Sequence, residues 1–214
     1  MAFVGDFRPL LAAIKPRRFS GTVYRVIGSR FLDAPLTSAG SKLHGGRFNP
    51  PGSFEVLYTA LAVDTALAER EGILLTAAGV KAARGIRTSI VLRIDCRLES
   101  VLDLTEERVR QQLRLPLADI LGPWLPWNVQ APPTAEPPDG KAATEKPVSL
   151  SAPSQRLGVA IYGSRRIEAV LAPSAKDGTG RCLAIFPDRL QPGSFVTVDD
   201  PDGRISAALG IAKA

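Results

Sequence analysis

The sequence predicts an α+β fold carried by a strongly bent, mixed or antiparallel sheet, and three observations point there. Short runs rich in β-branched and aromatic residues recur from Phe19 to Val198, separated by stretches of glycine, proline and other turn formers. Helix-like segments lie among them without the regular strand–helix–strand period of a doubly wound fold. The 214 residues are 45% hydrophobic, enough to bury one core of ordinary size. A single domain over 1–214 is expected, interrupted by one segment of different composition.

Residues 1–18 read as a short leading helix closed by Pro16. Phe19–Ile27 (FSGTVYRVI) alternates as a strand, and spacing alone turns Arg25 to solvent, because a guanidinium is expensive to bury without a partner. Residues 28–41 read as loop. Phe54–Thr59 has the content of a short strand, and Asp64 can cap a helix from about Thr65 to Leu75. Thr76–Arg87 reads as a helix end and turn. Thr88–Ile94 and Ser100–Leu104 read as two further strands. Thr105 is the expected N-cap of a helix with Glu106 and Glu107 in its first turn, stopping at Pro116. A shorter helix fits 117–122, and Trp124 and Trp127 are expected at the core edge.

Residues 130–155 change character. They hold six of the chain's 18 prolines and no aromatic residue, the composition of a mobile loop or insertion. After them come a short helix at Gln155–Tyr162, the run Glu168–Ala172 leading into Pro173-Ser174, a strand at Arg181–Phe186, a turn at Pro187–Leu190 and a final strand at Phe195–Val198.

Composition excludes several classes. No run of 18 apolar residues exists, so no membrane-spanning helix is expected. The N-terminus has an early acid, a short apolar run and then Pro16, unlike a signal peptide, so a cytoplasmic location is expected. Cys96 and Cys182 have no CxxC spacing and no histidine neighbour, which reads as free buried thiols rather than half a zinc site. His44 is the single histidine, which argues against a His-ligated metal; no metal is expected. The net charge of +6 attracts polyanions: nucleic acid, an acidic partner or a phosphorylated small molecule. The basic residues are scattered, however, and no helix-turn-helix, RNP or zinc-finger signature is present. Nor is there a GxxxxGK[ST] loop or an acidic metal cluster for a nucleotide hydrolase.

The densest chemistry lies in Lys42–Glu71 (KLHGGRFNPPGSFEVLYTALAVDTALAERE). Lys42, His44, Arg47 and Asn49 surround Gly45-Gly46, a pair that lets the backbone approach a ligand closely. Tyr58 follows on a strand, and Glu69 and Glu71 on a helix. Donors on a loop, then an aromatic ring, then a carboxylate suit a phosphate-bearing ligand that contains a ring. Helical periodicity does not choose between the carboxylates: Glu69 lies near Ile73, while Glu71 lies between Leu67 and Leu75.

Laid end to end, these pieces resemble the RES-domain family, named for an Arg, a Glu and a Ser, whose members are toxins of bacterial toxin–antitoxin pairs. The resemblance rests on Tyr24-Arg25 in a strand, Gly45-Gly46-Arg47-Phe48-Asn49, Leu57-Tyr58-Thr59, Ala66 to Glu69, Pro173-Ser174 and Ile185-Phe186-Pro187. Each motif is short, but their shared order over about 19–190 is specific. Two departures stand out: the length of the Pro-rich 130–155 segment, and Gly178-Thr179-Gly180-Arg181 where members often carry an Asn.

The resemblance implies a bent, split sheet with flanking helices, similar to ADP-ribosyltransferases, and NAD+ as substrate. It selects Glu69 over Glu71 and raises Arg25 from surface residue to site residue. Arg25 and Arg47 would hold the pyrophosphate through bidentate bonds. Tyr58 would face the departing nicotinamide. Glu69 would stabilise an oxocarbenium-like ribose, and Ser174 would bond NAD+ or orient Glu69. Lys42, His44 and Asn49 would contact phosphate or ribose. Glu69, Arg25 and Ser174 are thus the expected catalytic set. A protein acceptor would make the chain an ADP-ribosyltransferase, water a glycohydrolase, phosphate a phosphorylase; transfer to a host protein is the leading expectation. The resemblance also implies a cognate antitoxin of Xre/ParS type that blocks the NAD+ cleft, with nucleic acid reached only through it. The alternative from the residues themselves is a basic, non-catalytic domain that docks a nucleotide or nucleic acid.

Overall fold

The structure, a computed structural model, describes residues 6–78, 89–124 and 151–210, the side chains of 71–78 excepted. In chain order the elements are α1 (Arg8–Ala12), β1 (Arg17–Gly28), a 3-10 turn (Ser29–Phe31), α2 (Ala39–His44), β2 (Leu57–Ala60), α3 (Val63–Ala78), β3 (Ser89–Asp103), α4 (Glu107–Gln112), α5 (Leu117–Leu121), α6 (Pro153–Ser164), β4 (Ala169–Pro173), β5 (Arg181–Ile185), a 3-10 turn (Pro187–Arg189), β6 (Phe195–Val198) and β7 (Ala208–Gly210). This is a mixed α+β fold, as the sequence predicts.

β1 and β3 form a long antiparallel pair running from Phe19↔Leu98 to Gly28↔Ser89. β3 continues past β1 to pair in parallel with β4 at Val101–Asp103. From there the sheet runs antiparallel through β5 to β2, and β2 returns to β1 at one position, Tyr24↔Ala60. Five strands therefore close on themselves, and β6 and β7 extend from β3. Along β3 the surroundings change: its alternation of exposed and buried positions ends at Ser100, after which Val101, Leu102 and Asp103 are all buried, so both faces of the strand are covered there.

Strand alternation divides the core into two. Val23, Leu57, Ile94, Leu171, Leu183 and Ile185 point to one side and share a cluster enclosed by the strands. Val170, Ala172, Ala184 and Phe186 point to the other, where α1, α4, α5 and α6 cover them with Leu11, Val109, Ile120 and Leu157. Tyr58 lies on this second side.

Several expectations need correction. Ser89–Asp103 is one strand rather than two. β2 starts at Leu57, later than Phe54, and α3 starts at Val63, so Asp64 lies in its first turn rather than before it. Thr105 does not cap α4; its N–H and hydroxyl both donate to Asp103 Oδ1, at 2.9 and 2.5 Å, closing a turn behind β3. Lys42 and His44 stand on a short helix, not a loop. β7 was not expected. Of the segment taken as mobile, 130–150 lies outside the described residues, as do Trp127 and 79–87. Residues 151–155 are structured: Pro153 opens α6, where a proline's fixed φ suits the first helical position, and Gln155 is fully buried.

Candidate active site

The Gly45–Asn49 loop is held from three directions. Gly46 and Asn49 bond each other through N–H and C=O in both directions, making a tight reversal. From below, the Tyr58 hydroxyl accepts the Phe48 N–H at 2.9 Å and donates to Asn49 Oδ1 at 2.8 Å. From the helix side, Gln155 gives Nε2 to the carbonyls of Gly46 and Asn49, while its Oε1 takes the Ala152 N–H at the start of α6. Two glycines permit this closeness. A Cβ at Gly46 would meet Tyr58 Oη at 2.5 Å, and one at Gly158 would meet the Phe48 carbonyl at 1.7 Å.

Asn49 is fully buried. Its Nδ2 donates to the carbonyls of Ser41 and Phe54, at 2.7 and 3.0 Å. It braces the loop rather than pointing into open space. Tyr58 is similarly fixed, and burial pushes its phenol well above the usual value, opposed by the Phe48 N–H and by Arg47. Arg47 Nη1 donates to the carbonyls of Ile120 and Gly122 at the end of α5. Burial lowers its pKa, while Glu69, Tyr58 and Cys182 act in the opposite sense.

Glu69 projects from α3 to the hairpin between β4 and β5. Its Oε1 accepts the Ser174 hydroxyl at 2.6 Å and the Ala175 N–H at 3.0 Å, with the Cys182 thiol at 3.7 Å. Ser174 Oγ itself accepts the N–H groups of Lys176 and Asp177, at 3.1 and 3.0 Å, so its one proton is directed at Glu69. The hairpin is tied back to α3 by Thr65, whose hydroxyl donates to Asp177 Oδ2 at 2.6 Å. That bond holds the Asp177 carboxyl below its usual range. Burial and then Glu69 push the Cys182 thiol up to about 12.

Arg25 is not turned to solvent. It is part-buried, with Nη2 donating to the Thr37 carbonyl at 2.7 Å, and burial followed by the charge of Arg70 lowers it to about 10. The structure thus gathers Glu69, Ser174, Arg47 and Tyr58, and sets Arg25 beside the residue after Glu69. Lys42 and His44 are exposed on α2, outside this hydrogen-bonded group. The side chain of Glu71 lies outside the described residues. Among the described residues, no group of three or more His, Cys, Asp or Glu is close enough together to hold a metal ion, and no helix is long and apolar enough to cross a membrane.

Four supporting residues escape the sequence reading. Gln155 stands where the segment read as mobile meets the helix read from Gln155, and Pro153 followed by a glutamine at the third helical position is the helix-start signal that marks α6 two residues earlier. Thr65 lies one helical turn before Glu69, but its partner Asp177, like Cys182, carries no local signal, because only the fold brings these two to α3.

No curated protein matches the chain. Among solved structures, a chain of the crystal structure of the M. tuberculosis MbcT–MbcA toxin–antitoxin complex is similar in fold. It has a TM-score of 0.63 and 22% identity, covering 95% of this chain and 92% of that one. The RES domain family model matches residues 22–206, which takes in β2 to β6 and most of β1 and includes Arg25, Glu69 and Ser174, and the chain belongs to the RES domain family.

Proposed function

We propose that this protein is the toxin of a toxin–antitoxin pair, and that it cleaves NAD+ at the nicotinamide–ribose bond and passes the ADP-ribose to a protein acceptor. The observation that carries the reading is the state of Glu69. Its three partners converge on Oε1, and among the described residues no hydrogen bond reaches Oε2. A carboxylate fixed by one oxygen with the other open suits a group that must face a ribose gaining positive charge. In this reading Ser174 positions Glu69, Arg25 binds the pyrophosphate, and Tyr58, on the same sheet face as Cys182, offers its ring towards the nicotinamide. Arg47, whose guanidinium feels the charge of Glu69, supplies a cation to the site. The fold shared with a chain of a toxin–antitoxin complex supports a cognate antitoxin as partner, and the combination fits a cytoplasmic protein.

The test is expression in a bacterial host. Growth arrest with falling NAD+, relieved by Glu69→Gln, is expected, together with ADP-ribose adducts on host proteins by mass spectrometry. Falling NAD+ with only free ADP-ribose would make the protein a glycohydrolase, and ADP-ribose-1″-phosphate a phosphorylase; either would sink transfer to protein. Unchanged NAD+ with no adducts on host proteins would sink the enzymatic reading and leave a basic binding domain.

A further inference from the structure

Arg47 is the expected partner of Arg25 at the phosphates, yet its Nη1 is already committed to the carbonyls closing α5. The unmet demand for an anion lies on the other side of Glu69. Arg70, the next residue of α3, gives Nη1 to the Val26 carbonyl at 3.1 Å, but its Nε is buried with no acceptor. Arg25 likewise has a buried Nη1 with no acceptor. Beyond burial, the charge of Arg70 lowers Arg25, and that of Arg30 lowers Arg70 in turn. The ion pairs among the described residues involve none of these three arginines. Adjacent part-buried cations with orphaned donors are unfavourable unless an anion completes them. Arg70 Nη2 lies against the end of β1: a Cβ on Gly28 would stand 3.8 Å from it, in ordinary contact. Arg70 is only partly buried, so its planar fork can turn to present Nε and Nη2 together to an oxyanion.

We propose that Arg25 and Arg70 form a paired-guanidinium site for a phosphate or pyrophosphate group, with Arg70 in the place the sequence gives to Arg47. This rests on the NAD+ reading in one respect: the pyrophosphate of a dinucleotide would lie here, one residue along α3 from the carboxylate that meets its ribose.

The experiment is calorimetric titration of inorganic pyrophosphate into Glu69→Gln protein, which cannot turn over substrate. Adding Arg70→Gln weakens pyrophosphate binding roughly tenfold to a hundredfold, the worth of a bond to a charged group. Arg70→Lys, which keeps the charge but loses the fork, restores only part. Arg204→Gln, with the same charge change on an exposed side chain, leaves affinity within about twofold. Equal affinity with and without Arg70→Gln, or an equal loss from Arg204→Gln, overturns the proposal. The two readings fail separately. Arg70-dependent pyrophosphate binding in a protein that releases no nicotinamide would refute NAD+ cleavage and keep the anion site. Nicotinamide release with pyrophosphate affinity indifferent to Arg70 would do the reverse.

Discussion

Ser174→Ala tests how the carboxylate is held. Ser174 is 4% exposed, and its hydroxyl makes the shortest contact to Glu69, at 2.6 Å. Removing Oγ deletes a bond to a charged acceptor, worth about 1.5–3 kcal/mol where both groups stay buried. It also frees the N–H groups of Lys176 and Asp177, on a partly exposed turn that water can reach, so the lost stability is limited to about 1–2 kcal/mol. For a chain of this size that lowers Tm by roughly 2–8 °C. Glu69 keeps the Ala175 N–H but loses the group that fixes its rotamer. If the bond acts on the carboxylate as ribose charge develops, kcat for nicotinamide release falls roughly tenfold to a hundredfold, at about 1.4 kcal/mol per factor of ten. Steady-state kinetics with a thermal melt of the same sample reads both quantities. A lower Tm with kcat within about twofold of wild type would refute the reasoning and reduce Ser174 to a turn residue.

Three further outcomes follow from the packing and the charges. Gly46→Ala forces a methyl to within 2.5 Å of Tyr58 Oη; the ring moves, the Phe48 and Asn49 bonds break, and stability drops by about 2–3 kcal/mol with loss of cleavage, whereas an unchanged melt would contradict the packing. Glu168 is fully buried and accepts the Ser100 N–H, the Gln191 N–H and the Ser194 hydroxyl; Glu168→Gln turns one acceptor into a donor facing a donor, costing about 3 kcal/mol, and a Tm within about 2 °C of wild type would be the contrary result. The Cys182 thiol, held up to about 12 by burial and then by Glu69, stays neutral at pH 8 and labels slowly; raising pH speeds labelling, and Glu69→Gln speeds it at constant pH by removing the second cause, so labelling as fast as a free cysteine would count against the assigned surroundings.

The sequence makes legible what is local. β-branched runs located β1, β5 and β6 to within two residues. It could not show that β3 is continuous, because Asp95, Arg97 and Glu99 interrupt the apolar run while their side chains only occupy the less buried positions of an unbroken alternation. It could not choose Glu69 by periodicity, because Leu67, the residue used as a core marker, is 37% exposed. Family order made that choice, and the hairpin geometry around Glu69 agrees with it. Spacing alone misplaced Arg25: the guanidinium reaches the Thr37 carbonyl, a partner 12 residues away that no strand pattern contains. Gln155 was hidden because composition averaged over 130–155 conceals where the prolines stop and α6 begins.

The most direct measurement is nicotinamide release from NAD+ by the purified protein, followed by proton NMR, with wild type beside Glu69→Gln. Release by wild type, alone or with cell extract as acceptor source, is expected, as is its disappearance in a Glu69→Gln protein that melts like wild type. No release under either condition, or equal release by the variant, would contradict the role given to the carboxylate on which the site converges.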